Sequence, residues 1–166
     1  MARGILHLLI GPVGAGKTTY AQRRVASAAS VFLDVDTWMV RLFGADPRPP
    51  QDVLAWYLER RERCRGLIWD TALSVLDAGR DVWLELGLVL AAEREGFYER
   101  ARAAELGLVV HLLDAPREVR WERVLNRNQS PGPFTQVVPP EIFERASDAW
   151  EPPSELERTR WSIVDA

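Results

Sequence analysis

Short apolar runs alternate along the chain with longer stretches whose apolar positions recur every three or four residues. Ile5-Leu6-His7-Leu8-Leu9-Ile10 is apolar almost throughout and stops at Gly11-Pro12, the pattern of a strand covered on both faces. Thr18 to Ala29 follows with helix formers and no breaker, and Val31-Phe32-Leu33 reads as a second short strand ending at Asp34-Val35-Asp36. Trp38 to Phe43 predicts a short helix closed by Gly44, and Asp46-Pro47-Arg48-Pro49-Pro50 a loop. A long helix is expected from Asp52 to Ala78, with Gly79 in the position of a C-terminal cap. Val82 to Leu86 then reads as a third strand, Ala91 to Leu106 as a charged helix, and Leu108 to Leu113 as a fourth strand. A helix is expected from about Pro116, a Pro/Gly-containing loop from Gln129 to Pro140, a short helix from Glu141 to Trp150, and a last strand at Trp161-Ser162-Ile163-Val164. Strands and helices in strict alternation imply βαβ units, hence a parallel sheet with helices on both faces.

The 166 residues suit one domain, and with 47% hydrophobic residues the chain can bury an ordinary core. A formal net charge of -3 argues against binding nucleic acid or an anionic membrane through bulk charge. The first apolar run is too short for a leader or a membrane span, so a cytoplasmic protein is expected. Cys64, the only cysteine, excludes an internal disulfide and a cysteine-rich metal site, and its arginine-rich setting suggests a surface or half-buried helix position. His7 and His111 fall inside strands one and four and are read as hydrogen-bonded core residues. The seven tryptophans are scattered and read as core or pocket-wall residues.

The basic residues carry a sharper signal. Twenty of the 21 are arginine and one, Lys17, is lysine. Codon preference explains a shortage of lysine but not the location of the survivor. Gly11-Pro12-Val13-Gly14-Ala15-Gly16-Lys17-Thr18 matches G-x-x-x-x-G-K-[ST] at every fixed position, between a predicted strand and a predicted helix. Glycines allow consecutive backbone N–H groups to wrap a phosphate chain, and the following helix aims its positive end at the same charge. A compact ammonium reaches between phosphates where a planar guanidinium fits poorly. The motif predicts a nucleoside triphosphate held by residues 11 to 19, Thr19 included, with the Thr18 hydroxyl on Mg²⁺.

A group that accepts a proton from a substrate belongs at a strand end facing the terminal phosphate. Asp34 and Asp36 qualify, reading as i, i+2 on one strand face, although Asp36 is also placed to cap the helix that begins at Thr37-Trp38. Glu85, at the end of the third strand, is the other carboxylate; a charge inside Val-Trp-Leu-Glu-Leu needs a cation or a substrate contact nearby. On the helix after Pro116, Trp121, Val124, Leu125 and Val119 form the expected apolar side. Arg120, Arg123 and Arg127 fall at i, i+3 and i+7 opposite them, leading into a segment able to close over a nucleotide.

With these segments in view, the chain resembles the small P-loop kinases, a group that includes polynucleotide kinase, chloramphenicol phosphotransferase and zeta toxins. The resemblance rests on the phosphate loop, Phe32-Leu33-Asp34-Val35-Asp36-Thr37-Trp38, Gly79 to Glu85, Leu113-Asp114-Ala115-Pro116 and the stretch Arg123 to Asn128, and it covers nearly the whole chain. It implies a three-layer P-loop NTPase fold with a five-stranded parallel sheet in the order 2-3-1-4-5 and a small lid at about residues 126–140. Taken with the motif, it leads to the expectation of an ATP- and Mg²⁺-dependent kinase acting on a hydroxyl of a small molecule, a metabolite or an antibiotic. By position Asp36 corresponds to the group that activates the acceptor hydroxyl, with Asp36 and Glu85 near the metal through water. Arg127 corresponds to the lid arginine on the phosphates and Arg123 to its partner one turn earlier. The chain departs from polynucleotide kinases at Met39, where they place an arginine for the substrate phosphate, and Arg41 faces elsewhere; a nucleic-acid 5′ end is therefore disfavoured as acceptor. The third-strand segment Glu85-Leu86-Gly87 also differs from the usual aspartate type. A polynucleotide, nucleotide or nucleotide-sugar kinase is the alternative reading, followed by a nucleotide-binding switch or slow ATPase.

Overall fold

The computed structural model describes every residue except Met1 and Ser27. Its elements are β1 (Leu6–Ile10), α1 (Lys17–Val25), β2 (Ser30–Asp34), α2 (Val35–Phe43), α3 (Val53–Asp77), β3 (Asp81–Glu85), α4 (Ala91–Ala103), β4 (Leu108–Leu112), α5 (Arg117–Gln129), α6 (Pro140–Asp148), α7 (Glu155–Arg160) and β5 (Ile163–Asp165). All strand pairs are parallel and the sheet order is β2-β3-β1-β4-β5, as the resemblance implied.

The two faces of β1 separate the core into layers because successive side chains point to opposite sides. Leu6, Leu8 and Ile10 join Leu84, Val110 and the inward residues of α3 and α4, among them Ile68, Ala72, Leu76, Phe97 and Tyr98. Leu9 points the other way and packs with Trp83, Ala21 and the half-buried Tyr20 and Phe32 beneath α1. Leu8 and Leu84 pair in register and are completely buried, and each such side chain contributes roughly 1.5–3 kcal/mol. His7 and His111 sit on the α1 face. His7 Nδ1 lies 3.0 Å from His111 Nε2, and the His7 ring stacks on Trp83 at 4.0 Å, so both are hydrogen-bonded as expected, His111 buried and His7 half-buried. Among the described residues no group of acidic, cysteine or histidine side chains forms a metal cluster, and no helix is long and apolar enough to cross a membrane.

Three expectations are corrected. The helix expected to reach Ala29 ends at Val25, and Ser27 lies outside the described residues. Cys64 is not at the surface: it is fully buried, its Sγ lies 3.7 Å from Met39 Sδ where α3 crosses α2, and burial pushes its thiol pKa up. The chain between Trp150 and Trp161, given no element from sequence, forms α7, capped by Ser154 Oγ, which accepts from the Glu157 N–H at 3.1 Å. The S-x-x-E spacing of Ser154 and Glu157 is the usual sign of such a start. The Glu157 side chain does not turn back to complete a capping box. It pairs instead with buried Arg94 at 2.7 and 2.9 Å and accepts from the Tyr98 hydroxyl at 2.9 Å, which fastens the C-terminal segment to α4. At the far end of α3, the Gly79 N–H donates to the Leu76 carbonyl and that of Arg80 to Val75, the double bond of a glycine C-cap.

Candidate active site

Parallel register brings the carboxyl ends of β1, β2 and β3 to one edge, where Asp34 is paired with Glu85 and Glu85 with Leu9. Open α/β sheets bind ligands at such an edge. A cleft of about 950 Å³ lies there.

One wall is the loop from Gly11 to Thr19; all of it lines the cleft except Pro12. Gly16, in left-handed backbone at φ 98°, is the N-cap of α1; no side chain caps the helix and no acidic residue occupies its first turn. The first N–H groups of α1 therefore have no side-chain partner and point with the helix dipole toward the cleft. Position 14 tolerates no side chain. Its φ is +79°, and a Cβ there would lie 2.6 Å from the carbonyl oxygen of Arg120. Lys17 is buried, donating from Nζ to the carbonyls of Gly11 and Pro12 at 2.9 Å each, with Glu85 Oε1 at 3.6 Å. The Thr18 hydroxyl donates to Glu85 Oε2 at 2.9 Å, which directs its lone pairs away from Glu85. Burial raises the Glu85 pKa; the Lys17 charge and the Thr18 hydrogen bond oppose that, and the negative charges of Asp36 and Asp34 reinforce it.

The two aspartates divide differently from the sequence expectation. They do not share a strand face, because α2 begins at Val35 and places Asp36 in its first turn. Asp34, not Asp36, is the helix cap, accepting from the Thr37 N–H at 2.7 Å. Burial raises the Asp34 pKa even though that hydrogen bond holds the charged form. Asp36 is exposed and lines the cleft, and its carboxylate has no hydrogen-bond or ion-pair partner among the described residues.

α5 closes the loop side. Its three arginines do not form one solvent-facing stripe. Arg120 is buried and donates to the carbonyls of Val13 (2.9 Å) and Ala115 (3.0 Å) and to Ser147 Oγ (3.0 Å), which bolts the phosphate loop to α5 and α6. Val119 and Leu125, expected on the apolar side, are exposed, and the buried pair is Arg120 with Val124. A guanidinium that finds several carbonyls can occupy an interior position that apolar periodicity assigns elsewhere. Arg123 donates to the Ala15 carbonyl at 3.2 Å and lines the cleft. Arg127 lines it one turn further on, with no partner for its side chain among the described residues. The segment expected as a lid over 126–140 is helical at both margins. Between them the Asn128 side chain brackets Val138 with hydrogen bonds of 2.8 and 3.0 Å, and Phe134 enters the cleft wall under the Arg41 guanidinium. Sequence reasoning did not find Tyr57 and Arg61 of α3, which also line the cleft. No local pattern distinguishes them from the other residues of a long charged helix.

Comparison with solved structures shows the same fold elsewhere. A presumptive kinase from Chloroflexus aurantiacus j-10-fl superposes with a TM-score of 0.74 at 18% identity, over all of this chain and 86% of that one. A gluconokinase from Sinorhizobium meliloti 1021 gives 0.55 at 18%, over 99% and 84%. A chain of the Pnkp1/Rnl/Hen1 RNA repair complex gives 0.67 at 16%, over 97% of this chain; this chain spans only 47% of that one. At these identities the likeness establishes the P-loop kinase-like fold. No curated protein matches the sequence. The model of the AAA domain family AAA_33 matches residues 6–153, most of the chain and all of the phosphate-loop side of the cleft. The chain belongs to that AAA domain family of P-loop proteins.

Proposed function

We propose that the protein is an ATP- and Mg²⁺-dependent kinase that transfers the γ-phosphate to a hydroxyl of a small molecule. One observation carries this reading: the Asp36 carboxylate faces the same cleft as the phosphate loop and is engaged by nothing else among the described residues. A nucleotide switch has no need of such a group. The loop fits a triphosphate through its uncapped helix start and its buried ammonium. It fits Mg²⁺ through a Thr18 hydroxyl whose proton is directed at Glu85, which leaves oxygen lone pairs for a hard cation.

On this reading Lys17 and the loop amides hold the β- and γ-phosphates, and Thr18 holds the metal with Glu85 behind it. Mg²⁺ supplies neutralisation of developing charge on the phosphate oxygens. Asp36 accepts the proton as the acceptor oxygen bonds to the γ-phosphorus and the bond to the β–γ bridging oxygen breaks, releasing ADP. Glu85 is unsuited to that role, because both its oxygens already face Thr18 and Lys17. Asp34 is engaged by its helix. Arg123 and Arg127 line the same cleft on a helix fixed to the loop by Arg120, which supports a role for them in stabilising the transferring group.

The test begins with a panel of hydroxyl compounds, and an oligonucleotide with a free 5′ end, assayed for ADP release with Lys17→Ala as the blank. With the acceptor so found, Asp36→Asn is expected to lower transfer roughly 10²–10⁴-fold while the protein still binds ATP. Transfer unchanged in Asp36→Asn would remove Asp36 from the chemistry.

A further inference from the structure

Two arginines of α3 meet the turn that follows β3. Arg65 donates from Nε and a terminal nitrogen to the Leu86 carbonyl at 3.1 and 2.9 Å and reaches the Gly87 carbonyl at 3.2 Å. Its other terminal nitrogen pairs with Glu62 and Glu93. The turn is thereby held and the charge of Arg65 neutralised. Arg65 borders a separate, smaller hollow of about 390 Å³, away from the phosphate loop.

Arg61, one turn earlier, behaves differently. It offers a single nitrogen to the same two carbonyls, at 3.0 Å for Gly87 and 3.4 Å for Leu86, both already served by Arg65. No carboxylate pairs with it among the described residues, and its Nε is buried without any hydrogen-bond partner. Its neighbour Arg60 also has a buried, unbonded Nε, but that guanidinium lies over the Trp56 ring at 4.1 Å and is used in packing. Arg61 instead lines the large cleft, together with Lys17, Asp36, Glu85 and, one turn back on α3, Tyr57.

A half-buried guanidinium without a counter-ion is costly, and a structural duty that Arg65 already performs does not account for it. The planar fork of arginine suits the paired oxygens of a phosphate, sulfate or carboxylate. We infer that the acceptor is an anionic compound, a hydroxyl carrying such an oxyanion group, and that Arg61 pairs with that group. The anion would anchor the acceptor on α3 while its hydroxyl faces Asp36 on α2. This rests on the kinase reading, since it assigns the far side of the cleft to an acceptor.

The experiment titrates sulfate, inorganic phosphate and acetate separately into the protein saturated with Mg²⁺ and a non-hydrolysable ATP analogue, by calorimetry. The nucleotide occupies the phosphate loop, so anions binding there are not counted. At least one anion is expected to bind the wild-type protein, and Arg61→Gln to weaken it roughly tenfold or more, as loss of a charge-assisted pair predicts. Arg61→Lys, which keeps the charge but not the fork, should recover part of that affinity. Thermal melting of each variant shows that it is folded, and Arg61→Lys carries the comparison if Arg61→Gln is not. Absence of anion binding, or equal binding in wild type and Arg61→Gln, overturns the inference while nucleotide binding stands. Failure of the analogue itself to bind overturns the kinase reading beneath it.

Discussion

Glu157→Gln isolates the interaction that fastens the C-terminal segment to the fold. Arg94 is fully buried and the Glu157 side chain only 9% exposed, so the pair is shielded from water and screened little by salt. Three donors reach the carboxylate: Arg94 twice, at 2.7 and 2.9 Å, and the Tyr98 hydroxyl at 2.9 Å. The amide of glutamine keeps the shape but removes the charge, and it turns an NH₂ toward a guanidinium that is itself only a donor. Arg94 is left as a buried charge without a counter-ion, and breaking such a pair from one side costs about 3–5 kcal/mol. For a domain of this size each kcal/mol moves the melting temperature by roughly 2–4 °C, so a fall of about 6–20 °C is expected. The hydrogen bonds from Arg94 and Tyr98 hold the Glu157 pKa below its ordinary value, although burial works against them. Its contribution is therefore complete above the ordinary carboxylate range and is lost as pH falls through the lower folded value, which makes pH 7 the right condition. Urea denaturation followed by circular dichroism gives the free-energy difference, provided the m-value is unchanged. The double replacement Arg94→Met with Glu157→Met should recover part of the loss, since two apolar side chains leave no stranded charge while the buried Tyr98 hydroxyl loses its acceptor. A loss below about 1 kcal/mol in Glu157→Gln, at unchanged m-value, would refute the reasoning and mean that water reaches the pair.

Two further outcomes follow from geometry already described. Gly14→Ala places a Cβ against the Arg120 carbonyl at a backbone φ of +79°; nucleotide affinity measured by calorimetry should fall at least roughly tenfold, at a backbone cost of about 1–3 kcal/mol, and unchanged affinity would show that the loop can shift freely. Acid should loosen the histidine pair under α1: burial, then the charges of His7 and Arg24, lower the His111 pKa to about 4, while in the unfolded chain it titrates near the ordinary histidine value of about 6.5. Between those values the unfolded state binds more protons, so stability falls as pH is lowered across that window, by at most about 3–4 kcal/mol. His111→Phe should flatten the pH dependence of the melting temperature between pH 6.5 and 4, and an unaltered slope would place its origin elsewhere.

Features set by neighbours in sequence were readable in advance. The strand, loop and helix of the phosphate site need glycines and a lysine at fixed spacing, and Gly11 to Thr18 stand where the motif requires. The sheet order followed from the resemblance. The division between Asp34 and Asp36 was not readable, because it turns on the residue at which α2 begins, and one residue decides which carboxylate meets the Thr37 N–H. Arg120 was grouped with the wrong face for a different reason. Its carbonyl partners come from Val13 and Ala115 and its hydroxyl partner from Ser147, and only the fold brings these segments together. Arg61 was hidden among the other arginines of α3, since its distinction from Arg65 lies in which glutamates are near and which hollow each side chain borders. Only the Ser154-x-x-Glu157 signature of α7 was present in the sequence and passed over.

Lys17 has a practical consequence of another kind. Apart from a chain terminus it is the protein's one primary amine, and it lies inside the phosphate loop. Reductive methylation with ¹³C-formaldehyde therefore installs one side-chain NMR probe, directly inside the phosphate loop, without mutation. Being 9% exposed and hydrogen-bonded to two carbonyls, the amine should react slowly. Its labelling rate then becomes a clock for loop opening, and protection by a nucleotide a direct measure of occupancy. With arginine at each of the other 20 basic positions, the chain carries a built-in single-site reporter.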